Sequence, residues 1–168
     1  MVVSPGVPPT AAPLIDAKSI GLPVISEIDF AARLCPPRLR FLGITGTNGK
    51  SSTAWYTQQL LEQAGLRGYL AGNIGRPLSQ LPLDIDAGQQ VDVAVVELSS
   101  YQLERVGNFH ASVGVILNLT PDHLARHGDM KAYGDAKLRL FENMTSADVA
   151  ILPPPTEGLS CDRVIHRS

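Results

Sequence analysis

The sequence is short of what most specialised protein classes require. It has two cysteines, Cys35 and Cys161, far apart and without the spacing of a metal knuckle or a redox pair. They read as two reduced thiols of a cytosolic-type chain. There is no excess of one charge: 14 basic residues face 16 acidic ones, for a net charge of −2, and no block of one sign occurs. That excludes the basic stripe of a nucleic-acid groove and the solvated run of an acidic tail. No stretch approaches the roughly 20 apolar residues of a membrane-spanning helix. The opening "MVVSPGVPPTAAPL" has neither a basic start nor a continuous apolar segment, so it does not read as a secretory signal. No membrane insertion and a cytoplasmic location are expected. Aromatics are scarce at 5%, yet aliphatic residues bring the apolar fraction to 44%, enough for one core in 168 residues.

Proline is the residue in local excess. Pro5, Pro8, Pro9, Pro13, Pro23, Pro36 and Pro37 crowd the first 38 positions, which therefore read as linker with one short helix near 26–34. From Leu39 the texture changes. "LRFLGIT" is a short apolar run ending in a glycine-rich turn, and "GKSSTAWYTQQLLEQAG" continues with helical spacing. That spacing groups Trp55, Leu60, Leu61 and Ala64 on one face, with Gly65 as a stop. "RGYLAG", "VDVAVVEL" (91–98), "ASVGVILNLT" (111–120) and "DVAIL" (148–152) are further strand candidates. "MKAYGDAKLRLFENM" (130–144) is a helix candidate with Met130, Tyr133, Leu140, Phe141 and Met144 on one side. Apolar strands alternating with helices predict an α/β fold: a parallel sheet with helices on both faces. Three regions follow: 1–38, then 39–152 carrying the sheet, then 153–168 as an irregular tail after which the sheet reads as cut short.

The chemistry gathers at the strand ends. In "GITGTNGKSS", Gly46, Thr47, Asn48, Gly49, Lys50, Ser51 and Ser52 form a strand-to-helix turn whose backbone N–H groups can converge on an anion. Lys50 supplies a charge for terminal phosphates and Ser51 or Ser52 a hydroxyl suited to Mg²⁺. The commonest phosphate-loop frame is not met, because its first glycine falls on Ile44. Glu97 closes the run "VDVAVVE", at the sheet edge where open α/β folds bind ligands, and could hold Mg²⁺ directly or through water. Asp122 and His123 arrive at the same edge; a histidine there is a metal ligand or a hydrogen-bonded surface residue. Lys137 falls on the apolar side of its helix, one turn from Tyr133 and Phe141. It snorkels, meets a phosphate, or has its charge chemically altered.

Together, "GITGTNGKSS", "GNIGRPL", "VVELSSYQLE", "ILNLTPDHLARHGDMKAYGDAKLRLF" and the opening "VVSPGVP" resemble the Mur ligases, the ATP-dependent amino-acid-adding enzymes of peptidoglycan synthesis. "ELSSYQLE" with "SPGVP" resembles the D-glutamate-adding branch of that family. The resemblance implies a P-loop-type central ATPase domain, ATP and Mg²⁺ as cofactors, and UDP-N-acetylmuramoyl-L-alanine and D-glutamate as substrates. It implies phosphorylation of a carboxylate by ATP, attack of an amine on the acyl phosphate, and collapse to an amide. Carried over by position, Lys50 meets the β- and γ-phosphates, and Ser51, Glu97, His123 and Lys137 serve the metal sites. Lys137 matches a lysine that the family carries as a carbamate. Asn73, Ser99 and Gln102 help position the UDP substrate. Residues 1–38 match the end of a uridine-binding domain, 39–152 part of the ATPase domain, and "PPPTEGLSCDRVIHRS" nothing alignable. Ala125 stands where the family carries a second aspartate, which weakens support for Arg126 or the metal site. The isolated chain is expected to be inactive, with missing domains on another chain as one option. A folylpolyglutamate-type ligase and a non-catalytic nucleotide-binding module derived from a Mur ligase are the alternative readings.

Overall fold

The computed structural model describes residues 1–159. Five strands form the main sheet: β3 (Arg40–Thr45), β4 (Gly68–Gly72), β5 (Val93–Glu97), β6 (Val113–Ile116) and β7 (Val149–Ile151). Their order is β4-β5-β3-β6-β7 and every pairing is parallel. The strand carrying the glycine-rich loop is therefore central. Ile44 pairs in register with Glu97 on one side and with Val115 on the other. All the parallel strands point their C-terminal ends at one edge, so the loop, Glu97 and the segment after Ile116 meet there.

One face of the sheet is thickly covered. Helices α2 (Glu27–Leu34), α4 (Gln80–Asp86), α5 (Ser100–Leu103) and α7 (Met130–Leu138), with a 3₁₀ turn at Arg139–Phe141, pack over Phe41, Tyr69, Ala71, Ala94, Val96 and Ile116. The opposite face carries α3 (Lys50–Gln63), above Ile44 and Val95. Here the expected apolar stripe holds only in part: Leu61 packs against the core, whereas Trp55, Leu60 and Ala64 are exposed. Ala54 is the buried residue of α3, whereas Trp55 is 50% and Leu60 65% exposed. A small side chain lets the helix come close to the sheet, and the bulky residues are turned outward, where Trp55 packs edge-on against Tyr56. Gly65 does follow the helix end in a positive-φ conformation. Beyond α3 no other element among the described residues covers the second face: Val149 is 52% and Ile151 49% exposed on the edge strand β7.

The proline-rich start is ordered, contrary to the linker reading. A short strand β1 (Val2–Val3) pairs in parallel with β2 (Ile25–Ser26) around helix α1 (Ala12–Ser19). Pro13 sits in the first turn of α1, where a missing N–H costs nothing. Ser26 caps α2 by accepting from the Asp29 N–H at 3.0 Å. The helix expected near 26–34 is thus present, and its Ile28, Ala31 and Cys35 belong to the main core. Burial pushes the Cys35 thiol up to about 11, so it is an inert core group.

The tail is only partly irregular. Thr156 and Leu159 bridge across a turn, Leu159 enters the core, and Gly158 lies so close to Gly134 of α7 that a Cβ there would strike the Gly158 carbonyl oxygen at 1.8 Å. Cys161 and the rest of 160–168 lie outside the described residues. No helix among the described residues is long and apolar enough to cross a membrane.

Asp29 ties the N-terminal segment to the core. It is 2% exposed, and its carboxylate accepts the backbone N–H groups of Gly107, Asn108 and Phe109, each at 2.9 Å. Asp29→Ala leaves three donors without their acceptor and should cost about 3 kcal/mol, seen in urea unfolding as a lower midpoint. Asp29→Asn should fall between the two. Equal stability of Asp29→Ala and wild type would mean that the segment is not fastened through this residue.

Candidate active site

The glycine-rich loop is four residues long, Gly46 to Gly49, and its shape is set from outside. The Asn118 carboxamide oxygen accepts from Thr47 N at 3.1 Å and Asn48 N at 2.9 Å, while its Nδ2 donates to Asn48 O at 3.1 Å. The Thr47 hydroxyl donates to Thr120 O at 3.1 Å, accepts from Thr120 N at 3.0 Å and lies 3.2 Å from the Tyr133 hydroxyl. Gly49 then takes φ 84°, the left-handed region that favours glycine, and α3 begins at Lys50. The first turn of α3, with Ser51 and Ser52 exposed, offers N–H groups that have no partner within the helix. Asn118, Thr120 and Tyr133 were missed as functional positions. The available signal was "LNLT", polar residues directly after a buried strand at the ligand-binding edge.

Two ammonium groups meet on one carbonyl. Lys50 Nζ donates to Gly46 O at 3.1 Å and Thr47 O at 2.8 Å, while Lys137 Nζ donates to Gly46 O at 2.9 Å and lies 3.4 Å from Thr45 Oγ1. Lys137 is 1% exposed, which rules out snorkelling among the open alternatives. Its Nζ sits 4.6 Å from the centre of the Tyr133 ring. Desolvation, with the charge of Lys50 added, pulls Lys137 down from the ordinary lysine value to about 7.

Glu97 is 1% exposed at the end of β5. Its Oε1 accepts from Asn73 Nδ2 at 2.9 Å, and its Oε2 is buried with no hydrogen-bond partner among the described residues. Gly72 lets the chain carrying Asn73 pass this close: φ is 109°, and a Cβ would meet the Glu97 carbonyl oxygen at 2.2 Å. An ionised carboxylate oxygen buried without a donor is costly and points to a cationic partner. No group of three or more His, Cys, Asp or Glu side chains gathers for a metal among the described residues. A divalent cation here would therefore draw on few protein ligands and take the rest from phosphate and water, the usual manner of Mg²⁺. Glu97, His123 and Ser51 are chemically suited to that. Lys137 in its ammonium form is not.

Ser99 and Gln102 form a capping box. Ser99 N donates to Gln102 Oε1 at 2.9 Å, and Gln102 N donates to Ser99 Oγ at 3.3 Å. Their first task is to shape α5, and Gln102, at 6% exposure, has its carboxamide oxygen committed to Ser99. His123 is exposed and takes φ 53° at the start of the one-turn helix α6 (Leu124–His127). Its N–H donates to Asp122 Oδ1 at 2.8 Å, and its Nδ1 lies 3.3 Å from the Tyr101 hydroxyl. Ala125 is exposed, and Arg126 has a carboxylate partner in Glu104 at 2.8 Å. A depression of about 700 Å³ lies at the opposite edge of the sheet among Arg40, Arg67 and Asp92. It has no connection with this constellation.

Comparison with known proteins bears on the same residues. The family model described as "Mur ligase middle domain" matches residues 44–158. It thus runs past Leu152 into the segment that had seemed unalignable. A protein of Geotalea uraniireducens (strain Rf4), named UDP-N-acetylmuramoylalanine--D-glutamate ligase, is 49% identical over 152 residues, 90% of this chain and 32% of that protein. One of the same name from Natranaerobius thermophilus is 40% identical over 157 residues, 90% of this chain and 33% of its own length. The chain spans about a third of the length of the curated relatives it matches. Among solved structures it is similar to the UDP-N-acetylmuramate:L-alanyl-gamma-D-glutamyl-meso-diaminopimelate ligase from Neisseria meningitides. The TM-score is 0.61 at 19% identity, over 94% of this chain and 52% of that one. It is also similar to Thermotoga maritima MurF ligase in complex with ADP, at TM-score 0.56 and 17% identity, over 90% and 42%. At these identities the structures speak for the fold alone.

The depressed Lys137 makes stability depend on pH. Between about 7 and the ordinary lysine value the unfolded chain holds a proton that the folded chain has released. Stability therefore rises with pH across that window, by up to about 1.4 kcal/mol per pH unit. Below it both states are charged and the full burial penalty remains. In carbon-dioxide-free buffer, Lys137→Met should be more stable than wild type near neutral pH, with the gap closing as pH rises. A gap independent of pH in urea unfolding would mean that Lys137 is not buried as an ammonium.

Proposed function

The chain belongs to the Mur ligase family, and from that membership we propose that it is the phosphate-handling core of an ATP-dependent ligase adding D-glutamate to UDP-N-acetylmuramoyl-L-alanine. The observation that carries this is the pairing of Lys50 and Lys137 on the Gly46 carbonyl, beside a helix N-terminus and a buried carboxylate oxygen without a donor among the described residues. Lys50 and the free N–H groups at the start of α3 call for a polyanion, and the unpartnered oxygen calls for a cation. Mg·ATP supplies both. The branch assignment, D-glutamate as the amino acid, is supported by the names of relatives at 40–49% identity.

In this reading Lys50 releases its own loop carbonyls and turns to the β- and γ-phosphates, neutralising charge as the γ-phosphoryl group moves to the substrate carboxylate. The N–H groups at the start of α3 bind the same oxygens, and Thr47 and Asn48 stay fixed to Asn118 so that the cradle does not collapse. Mg²⁺ would be held by Glu97, Ser51 and His123, and would supply charge neutralisation across the transferring phosphate. Asn73, held against Glu97, and Ser99 with its capping partner Gln102 would help position the UDP substrate. Lys137, neutral in part near pH 7, has the free amine that carbon dioxide requires to form a carbamate; that anion would reverse the charge beside Lys50. Residues 1–38 would be the end of a uridine-binding domain, and 39–152 part of the ATPase domain, in a cytoplasmic enzyme. The amino-acid-binding parts would lie in the remaining two thirds of the relatives' length.

Titration calorimetry tests the cradle. Wild type should bind Mg·ADP weakly, and Lys50→Ala should lose at least about tenfold in affinity, or 1.4 kcal/mol. Equal affinities would refute the assignment. Glu97→Gln should weaken ADP binding with Mg²⁺ present and leave Mg²⁺-free binding unchanged. Equal losses in both conditions would make Glu97 purely structural.

A further inference from the structure

Helix α6 is four residues long, far below the length at which a helix holds itself in water. It also starts from an unfavourable place. His123 is the sole non-glycine residue with positive φ among the described residues, a conformation that costs on the order of 1 kcal/mol and persists only where its surroundings enforce it. No residue of α6 is buried as a whole, and Leu124 and Ala125 are exposed. One side chain is the exception: that of His127 is only 4% exposed.

The His127 ring is held between two elements, α5 with its C-cap Glu104, and α7. Nε2 lies 3.0 Å from Ser100 Oγ on α5, and Ser100 is itself 3% exposed. Nδ1 lies 3.5 Å from Glu104 Oε1. The ring packs at 5.1 Å against Tyr133 of α7 and 5.9 Å against Tyr101 of α5. Both tyrosines also bear the His123 ring, Tyr101 at 5.1 Å and Tyr133 at 6.3 Å. The second anchor, Arg126, reaches Glu104 and the Tyr101 ring but is 26% exposed. An apolar side chain at 127 could fill the space, yet it would leave the buried Ser100 hydroxyl without this partner.

We infer that His127 is the positioning residue that holds His123 in its left-handed conformation at the rim of the phosphate loop. Through Tyr133, whose hydroxyl lies 3.2 Å from Thr47 Oγ1, it also fixes the distance between His123 and the loop. The consequence for ligand binding rests on the function proposed above; the consequence for His123 itself does not.

Two readouts keep these apart, taken on the full chain carrying His127→Ala, His127→Gln or His127→Leu. The first is the imidazole ¹⁵N resonances of His123. The second is ADP affinity measured with and without Mg²⁺. His127→Ala should shift or broaden the His123 resonances and lower the Mg²⁺-dependent part of the affinity roughly fivefold to tenfold, sparing Mg²⁺-free binding. His127→Gln, which can still reach Ser100 Oγ, should restore both to within about twofold. Should His127→Ala fail to fold, His127→Leu keeps the volume without the hydrogen bond and should displace the same resonances. Unmoved His123 resonances in the Ala variant, or in the Leu variant where Ala does not fold, would overturn the proposal. So would equal losses with and without Mg²⁺. If wild type shows no Mg²⁺ dependence, the functional reading fails, and the resonances alone decide the role of His127.

Discussion

Two ammonium groups share the carbonyl oxygen of Gly46, and the rest of the site is arranged around that concentration of charge. Burial disfavours the charged form of Lys137 first, and the nearby Lys50 charge adds to it, so Lys137 is depressed. A fold would gain by replacing either lysine with methionine unless an anion arrives to use them. The central position of β3 makes the convergence possible. Lys50 follows its loop, while Lys137 reaches across from α7, which packs on the opposite face of the sheet from α3. Glu97, one strand over, is the complementary defect, a buried carboxylate oxygen without a donor among the described residues. Each defect is costly in isolation, and a metal-bound polyphosphate would relieve both.

The parts legible in the sequence were those governed by short-range pattern. Buried parallel strands announce themselves as unbroken apolar runs, and Gly46 and Gly49 mark a turn whatever surrounds them. Lys137 was visible as an anomaly because a charged residue interrupted an apolar helical face. What stayed hidden depended on partners distant in the chain. Nothing local to Asn118 says that its carboxamide will close a loop 70 positions earlier. Nothing in "DHLARH" distinguishes the exposed His123 from His127 with its buried side chain, because a four-residue helix has no periodicity to read. The stripe on α3 misled for a related reason. Periodicity identifies a helix with apolar residues on one side, but closeness to the sheet selected Ala54 for burial and left Trp55 outside. Proline crowding misled too, since Pro13 opens a helix rather than preventing one.

The bare side of β7 belongs to the same logic of partial cover. On the thickly packed face Ala150 meets the core, while its neighbours Val149 and Ile151 point to a face that α3 does not reach. Strand residues alternate, so a strand with one covered face must present its other set somewhere. The turn at Thr156–Leu159 returns to the covered face, against Gly134, and leaves the bare one untouched. The site itself does not draw on this strand: its residues close or follow β3, β4, β5 and β6 or lie on α3 and α7.

The departure from the common phosphate-loop spacing also acquires a reason. In the common frame position 44 would be the first loop glycine, with the loop's own backbone turning from there. Here Ile44 is fully buried and still paired on both sides, and β3 continues through Thr45. The turn is compressed into Gly46 to Gly49, too few residues to close on themselves around an anion. Asn118 and Thr120, from the segment after β6, provide the missing hydrogen bonds. A shorter loop is thus exchanged for an external brace, and the brace hangs from the same segment that leads to His123. The coupling has a direction. Whatever moves the stretch from Asn118 to His127 moves the cradle too, because the two share Thr47 and Tyr133.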